Sequence, residues 1–169
     1  CPIPVDEPLT VEAQLVSVDD NGQRAVLTQR VVTSTPSAPE ALVAELFVFV
    51  PLAKGEKRAK KAPVVVPLDA REVAFWRVGD SAGLDFALLT GDFNPIHWIG
   101  PYARAAGFRN TILHGFGTLA RAVEGVHRAV YMGAAPVTGV EARFLKPLVL
   151  PARVGLYVGE LDGARRKVW

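Results

Sequence analysis

Asp92, Asn94 and His97 lie close together in the run Thr90-Gly91-Asp92-Phe93-Asn94-Pro95-Ile96-His97. His97 follows Asp92 by five positions. Across a tight turn, that spacing can bring a carboxylate and an imidazole onto one wall of a cleft. Such a pair, sharing a water, can take and give protons near neutral pH. The same residue types are also turn chemistry, since Asp and Asn side chains bond nearby backbone and Pro ends a helix. Taken alone, Gly-Asp-x-Asn-Pro therefore reads first as a turn.

Other chemistries have less support. His97, His114, His127 and Asp92 show no His-x-x-x-His or cysteine pattern, so no metal is expected. No serine stands in a Gly-x-Ser-x-Gly elbow, and no Gly-rich loop follows a strand as a dinucleotide site requires.

The elements around this run must position it. Residues 9–18, 24–33 and 41–50 alternate as strands, with Asn21-Gly22 as a hairpin turn between the first two. Residues 52–72 form a basic, proline-punctuated linker. Residues 84–90 read as a helix that Gly91-Asp92-Phe93-Asn94-Pro95 breaks, and 101–107 as a helical turn ending at Gly107. Asn110 or Thr111 can cap a longer helix over about 113–131. Its apolar positions, Phe116, Leu119, Ala120, Val123, Val126 and Val130, recur at three and four. Residues 137–146, 152–161 and 165–169 read as strands. Pairing Pro4 with Pro147, Pro8 with Pro151, Val11 with Val154 and Asp19 with Asp162 gives a constant offset of 143 residues. This faint repeat suggests two related units.

Composition sets the outer bounds. A chain of 169 residues with 50% hydrophobic and 21% charged residues is a folded globular one. Nineteen Lys+Arg against seventeen Asp+Glu give a net charge of +2. Lys54, Lys57, Arg58, Lys60 and Lys61, with Glu56, concentrate +4 in the linker. A nucleic-acid binder would spread its charge over a folded face, so none is expected as a partner. The basic run is read as a solvated linker, with contact to the phosphates of a ligand as the alternative. No apolar run reaches the length of a membrane span. The single cysteine, Cys1, excludes an internal disulfide framework, and the cytoplasm is the default location. Cys1-Pro2-Ile3-Pro4 reads as mid-protein and Lys167-Val168-Trp169 as mid-strand, so a fragment, or a processed or engineered chain, is expected.

The full pattern is more specific than its parts. Thr90 to His97 is followed by Ala103 to Phe108, then Ile112-Leu113-His114-Gly115, then Phe144-Leu145-Lys146-Pro147-Leu148. Over residues 80–160 this resembles the MaoC-like dehydratases and (R)-specific enoyl-CoA hydratases of the hot-dog fold. The resemblance implies an α+β fold in which an antiparallel sheet wraps a central helix. Residues 73–169 would be the catalytic hot dog, apparently truncated at its C-terminus. Residues 1–51 would be a three-stranded meander left from a degenerate first hot dog.

The resemblance also implies roles. Asp92 and His97 would hold the water that adds to C3 of a trans-2-enoyl thioester and pass its proton to C2, giving an (R)-3-hydroxyacyl thioester. Asn94 would support the turn. Gly115, at a helix N-terminus, would let the thioester oxygen approach backbone N–H groups. His114, Phe116 and Thr118 would bind or orient, Thr118 standing near where some members carry a serine. No cofactor is implied beyond the coenzyme A or acyl-carrier thioester of the substrate. A homodimer is the expected assembly, because a lone unit leaves open sheet edges. A non-catalytic acyl-binding scaffold and a hot-dog thioesterase are the alternatives.

Overall fold

The computed structural model describes residues 3–52, 64–134 and 137–169. The basic run from Lys54 to Lys61 lies outside the described residues. The chain divides into two compact units, Cys1–Ala62 and Pro63–Trp169.

The first unit is an antiparallel meander of β1 (Thr10–Asp20), β2 (Arg24–Ser34) and β3 (Leu42–Pro51), in that order. Its first turn follows from Asp20-Asn21-Gly22. Gly22 takes the left-handed conformation at φ 78°, and the Asn21 side-chain oxygen accepts from the amides of Gln23 and Arg24 at 3.1 and 3.0 Å. The register sets Val18, Leu27 and Val48 side by side on one face, with Val11 and Leu42 further along it. That face is apolar but open: Val11, Val18 and Leu42 are all more than half exposed. Before β1, the Glu7 carboxylate accepts from the Ser37 hydroxyl and amide, pinning the loop between β2 and β3. Those bonds, with help from Thr35, hold the Glu7 carboxyl below its ordinary value.

The second unit runs β4 (Arg71–Val78), α1 (Ala82–Thr90), a 3₁₀ turn (Pro95–His97), α2 (Gly100–Ala105), β5 (Ile112–Leu113), α3 (Gly115–Ala129), β6 (Leu148–Val149), β7 (Ala152–Asp162) and β8 (Arg165–Val168). The sheet order is β4-β7-β8, antiparallel throughout, and β5 pairs with β6. Val126 of α3 packs on Leu156 and Val158 of β7, with Trp76 of β4 closing the cluster. The helix comes close to the sheet at Gly125, where a Cβ would stand 2.7 Å from Leu156 and 2.9 Å from the Trp76 ring. A second cluster joins Val78, Ala82, Leu113 and Leu150. Each fully buried Leu or Val contributes roughly 1.5–3 kcal/mol, so these clusters hold α1, β5 and α3 around the candidate site. No helix among the described residues is long and apolar enough to cross a membrane.

Several expectations are corrected. Residues 137–146 form no strand; only Leu148–Val149 is extended and paired. Pro147 brings no N–H to a ladder, and among the described residues the segment meets no neighbouring strand. Residues 71–78, assigned partly to the linker, are β4, a central contributor to the core. Neither Asn110 nor Thr111 caps α3. His114 stands at the N-cap without a side-chain cap bond, and the Asn110 side chain donates instead to the Leu150 carbonyl at 3.0 Å. Two positions of the expected apolar stripe on α3, Phe116 and Ala120, are exposed.

Candidate active site

The turn that carries Asp92 and His97 is built from both ends. Gly91 ends α1 in the left-handed conformation at φ 78°, its amide bonding the Ala87 carbonyl. The Thr90 hydroxyl donates to the Phe86 carbonyl at 2.8 Å and accepts weakly from the Asp92 amide at 3.4 Å. Asp92 Oδ1 accepts from the Asn94 amide, and Asn94 Oδ1 from the Ile96 amide, both at 3.3 Å. Asn94 thereby caps the 3₁₀ turn that delivers His97. The turn residues do the local work their types suggest, and their arrangement leaves the Asp92 carboxylate mostly exposed.

His97 is buried, and its Nδ1–H donates to the Ile112 carbonyl at 2.8 Å. That bond spends one nitrogen as a donor and leaves Nε2 as the basic one. His114 is also buried, and its Nε2–H donates to the Asp92 carbonyl at 3.0 Å, with Asp92 Oδ2 at 3.7 Å. His114 Nδ1 is buried and has no hydrogen-bond partner among the described residues. The two imidazoles stack, with centroids 3.5 Å apart and planes 23° from parallel, and Phe86 tilts against His114 at 4.9 Å.

Asp92, His97 and His114 each bring one side-chain oxygen or nitrogen to within 4.8 Å of the others. Two hydrogen bonds of about 2.8 Å through one water span roughly 4.6 Å, a length comparable to this limit. The same three groups form a possible cation cluster.

Gly83 positions this turn and was not singled out by its sequence. A Cβ on Gly83 would stand 1.8 Å from the His97 carbonyl oxygen. The backbone of α1 therefore lies directly against the back of the 3₁₀ turn. The only sequence signal is a glycine inside a helix, which is otherwise unfavourable by about 1 kcal/mol relative to Ala.

Gly115 is the first residue of α3, and the first helical bond, from the Thr118 amide to the His114 carbonyl, forms at 3.2 Å. The amides of Gly115, Phe116 and Gly117 precede it and point out of the helix end. A Cβ at Gly115 would meet the Phe144 ring at 3.1 Å, and the Phe116 and Phe144 rings meet edge-on at 5.9 Å. Thr118 contributes its amide; its hydroxyl makes no hydrogen bond to Asp92 or His97 among the described residues. The structure thus brings Asp92, Asn94, His97, His114 and Gly115 together, with Phe116 and Thr118 on the first turn of α3.

Comparison with known proteins bears on the family and the fold. Residues 55–167 match the family described as MaoC like domain. A probable enoyl-CoA hydratase 2 from Dictyostelium discoideum is 26% identical over 130 residues, covering 73% of this chain and 44% of that protein. A 3-hydroxyacyl-thioester dehydratase X from Mycobacterium tuberculosis is 40% identical over 78 residues, covering 46% of this chain and 26% of that protein. A MaoC-like dehydratase structure from Phytophthora capsici superposes with a TM-score of 0.70 at 20% identity, over 95% of this chain and 57% of that one. The chain spans less than half the length of the two curated relatives.

Proposed function

The chain belongs to the MaoC-like domain family and has its hot-dog fold, and from that premise we propose that it is a hydro-lyase interconverting trans-2-enoyl and (R)-3-hydroxyacyl thioesters. The observation that carries this reading is the closeness of Asp92 and His97, whose side-chain ligand atoms lie within 4.8 Å, with one imidazole nitrogen of His97 committed to a backbone carbonyl.

In the hydration direction, Asp92 and His97 hold one water. As its oxygen bonds C3, the pair takes a proton from it, and a proton passes to C2. The C=C π bond is consumed and the thioester bond is kept. Negative charge gathers on the thioester oxygen during the step, and the amides at the N-terminus of α3 face it. The side of Gly115 where a Cβ would stand faces the Phe144 ring at 3.1 Å, so the absent side chain makes room for that ring beside the helix end. His114 orients the site: it ties down the Asp92 carbonyl and covers one face of the His97 ring. Asn94 holds the turn. Thr118 contributes through the backbone of α3.

The acyl group would be carried by coenzyme A or an acyl carrier protein, with no further cofactor, in a cytoplasmic setting. The open apolar face of the meander supports an assembly in which another copy covers it, most simply a two-fold dimer. Crotonyl-CoA tests the reading. Loss of the conjugated enoyl absorbance without thiol release is the expected result. Thiol release would make the protein a thioesterase, and no change in either signal would make it an acyl-binding scaffold.

A further inference from the structure

Two phenylalanines beside the N-terminus of α3 have no burial to explain them. Phe116 is 55% exposed and Phe144 is 57% exposed, although their rings touch edge-on. Leu145, next to Phe144, is 64% exposed. Phe144 sits in a segment without regular structure, and its ring lies against Gly115. Gly115 directly follows His114, which stacks on His97. The apolar pair is therefore continuous with the acid–base site and not a patch elsewhere on the unit.

We propose that Phe116 and Phe144 form a platform for the acyl chain, so that the site prefers medium-chain over short-chain enoyl thioesters. This rests on the hydratase reading and deepens it. A thioester oxygen held by the α3 amides has the sulfur on one side and C2 on the other. The carrier arm beyond the sulfur contains amides that need hydrogen-bond partners. The acyl chain beyond C2 is apolar along its whole length. Two phenyl rings bring no donor or acceptor, so they match the acyl side. A crotonyl group ends one carbon past the double bond and reaches little of the platform. An octenoyl group carries four further carbons that can lie across it.

Each methylene fully buried favours binding roughly fourfold, and one-sided contact gives about half that in free energy, or roughly twofold. The ratio of kcat/KM for octenoyl-CoA to that for crotonyl-CoA should thus exceed about ten in the wild type. In Phe144→Ala and in Phe116→Ala, that ratio should fall by about fivefold or more. Both side chains are more than half exposed, so truncation leaves the core clusters untouched. Phe75→Ala removes an equally exposed ring, 52% open, from β4, and should leave the ratio unaltered. Ratios in Phe144→Ala and Phe116→Ala that stay within about twofold of wild type, or that fall equally in Phe75→Ala, would overturn the platform. A wild type that hydrates crotonyl-CoA with no preference for octenoyl-CoA overturns the platform alone. A wild type that hydrates neither substrate removes the hydratase reading and the platform with it.

Discussion

The meander of residues 10–51 and the helix-bearing unit that follows are both antiparallel sheets, yet they differ in what they enclose. In the meander, a continuous ladder from β1 through β3 buries only Ala25, Ala38 and Thr35 among its described residues. In the second unit, a sheet of similar strand number buries Val78, Leu113, Val126, Leu150, Leu156 and Val158, and two imidazoles as well. Backbone pairing is satisfied in both. The difference is the helix α3, which supplies the second layer that a single sheet lacks. Only the unit with two layers can hold polar groups away from water at fixed positions, and the candidate chemistry is found there.

The sharpest test of that contrast is the loss of chemistry on one side of it. Asp92→Asn and His97→Ala should each lower kcat/KM for crotonyl-CoA by about a hundredfold or more, the usual size for losing a general acid or base. Because both residues act on one water, the double variant should lose no more than either alone, to within about tenfold. Steady-state hydration rates decide this, and multiplicative losses would show that the two side chains act on separate steps.

Next in size is the joint between core and site. Gly83→Ala puts a methyl 1.8 Å from the His97 carbonyl, so α1 or the turn has to move. We expect a loss of about 1–3 kcal/mol in urea unfolding, with a fall in hydration rate beside it. Gly79→Ala, which meets nothing within 4 Å, should stay within about 0.5 kcal/mol of wild type. Equal effects from the two substitutions would mean that α1 does not support the turn.

A smaller effect is expected from the meander. Val18→Thr adds a hydroxyl to its apolar face while keeping the branched shape. On an open face that should change stability by about 0.5 kcal/mol or less. A loss of 1–3 kcal/mol that grows with protein concentration would show that another copy buries this face. The contrast between the two units would then describe a single chain and not the assembly.

The smallest concerns Glu7. Its carboxyl is held low chiefly by the Ser37 hydroxyl and amide. A group with a lowered folded pKa contributes above its unfolded pKa, and the contribution fades as pH falls through the folded value. The Ser37 amide should therefore exchange faster with solvent as pH falls into that acidic range, after correction for intrinsic rates. In Ser37→Ala, the Glu7 titration, followed by carboxyl NMR, should move back toward that of a free glutamate.

Much of this was legible in the residues, and the parts that were not share a cause. The three strands of the meander and the long helix carry their own periodicity, and Asn21-Gly22 announces its turn. Asp92, Asn94 and His97 read first as a turn on their own, and stood out as a site through the fuller pattern that resembles the MaoC-like dehydratases. Arg71–Val78 was missed as a strand because it follows a run of prolines and charges, and its value lies in pairing with β7, some eighty residues away. Gly83 was missed because its role is defined wholly by what it touches. Residues 137–146 alternate like a strand, but a strand also needs a neighbour, and alternation cannot report one. The apolar stripe of α3 likewise predicted Phe116 as core, when its position at the helix end leaves it open.

The stacked imidazoles offer a way to watch the site without substrate. Aromatic rings shield protons lying over their faces, so His97 and His114 should displace each other's ring signals upfield in a proton NMR spectrum. The chain has only three histidines, and His127, at the far end of α3 and outside the stack, supplies the unshifted reference. A ligand that parts the two rings would return both displaced signals toward the position of the third.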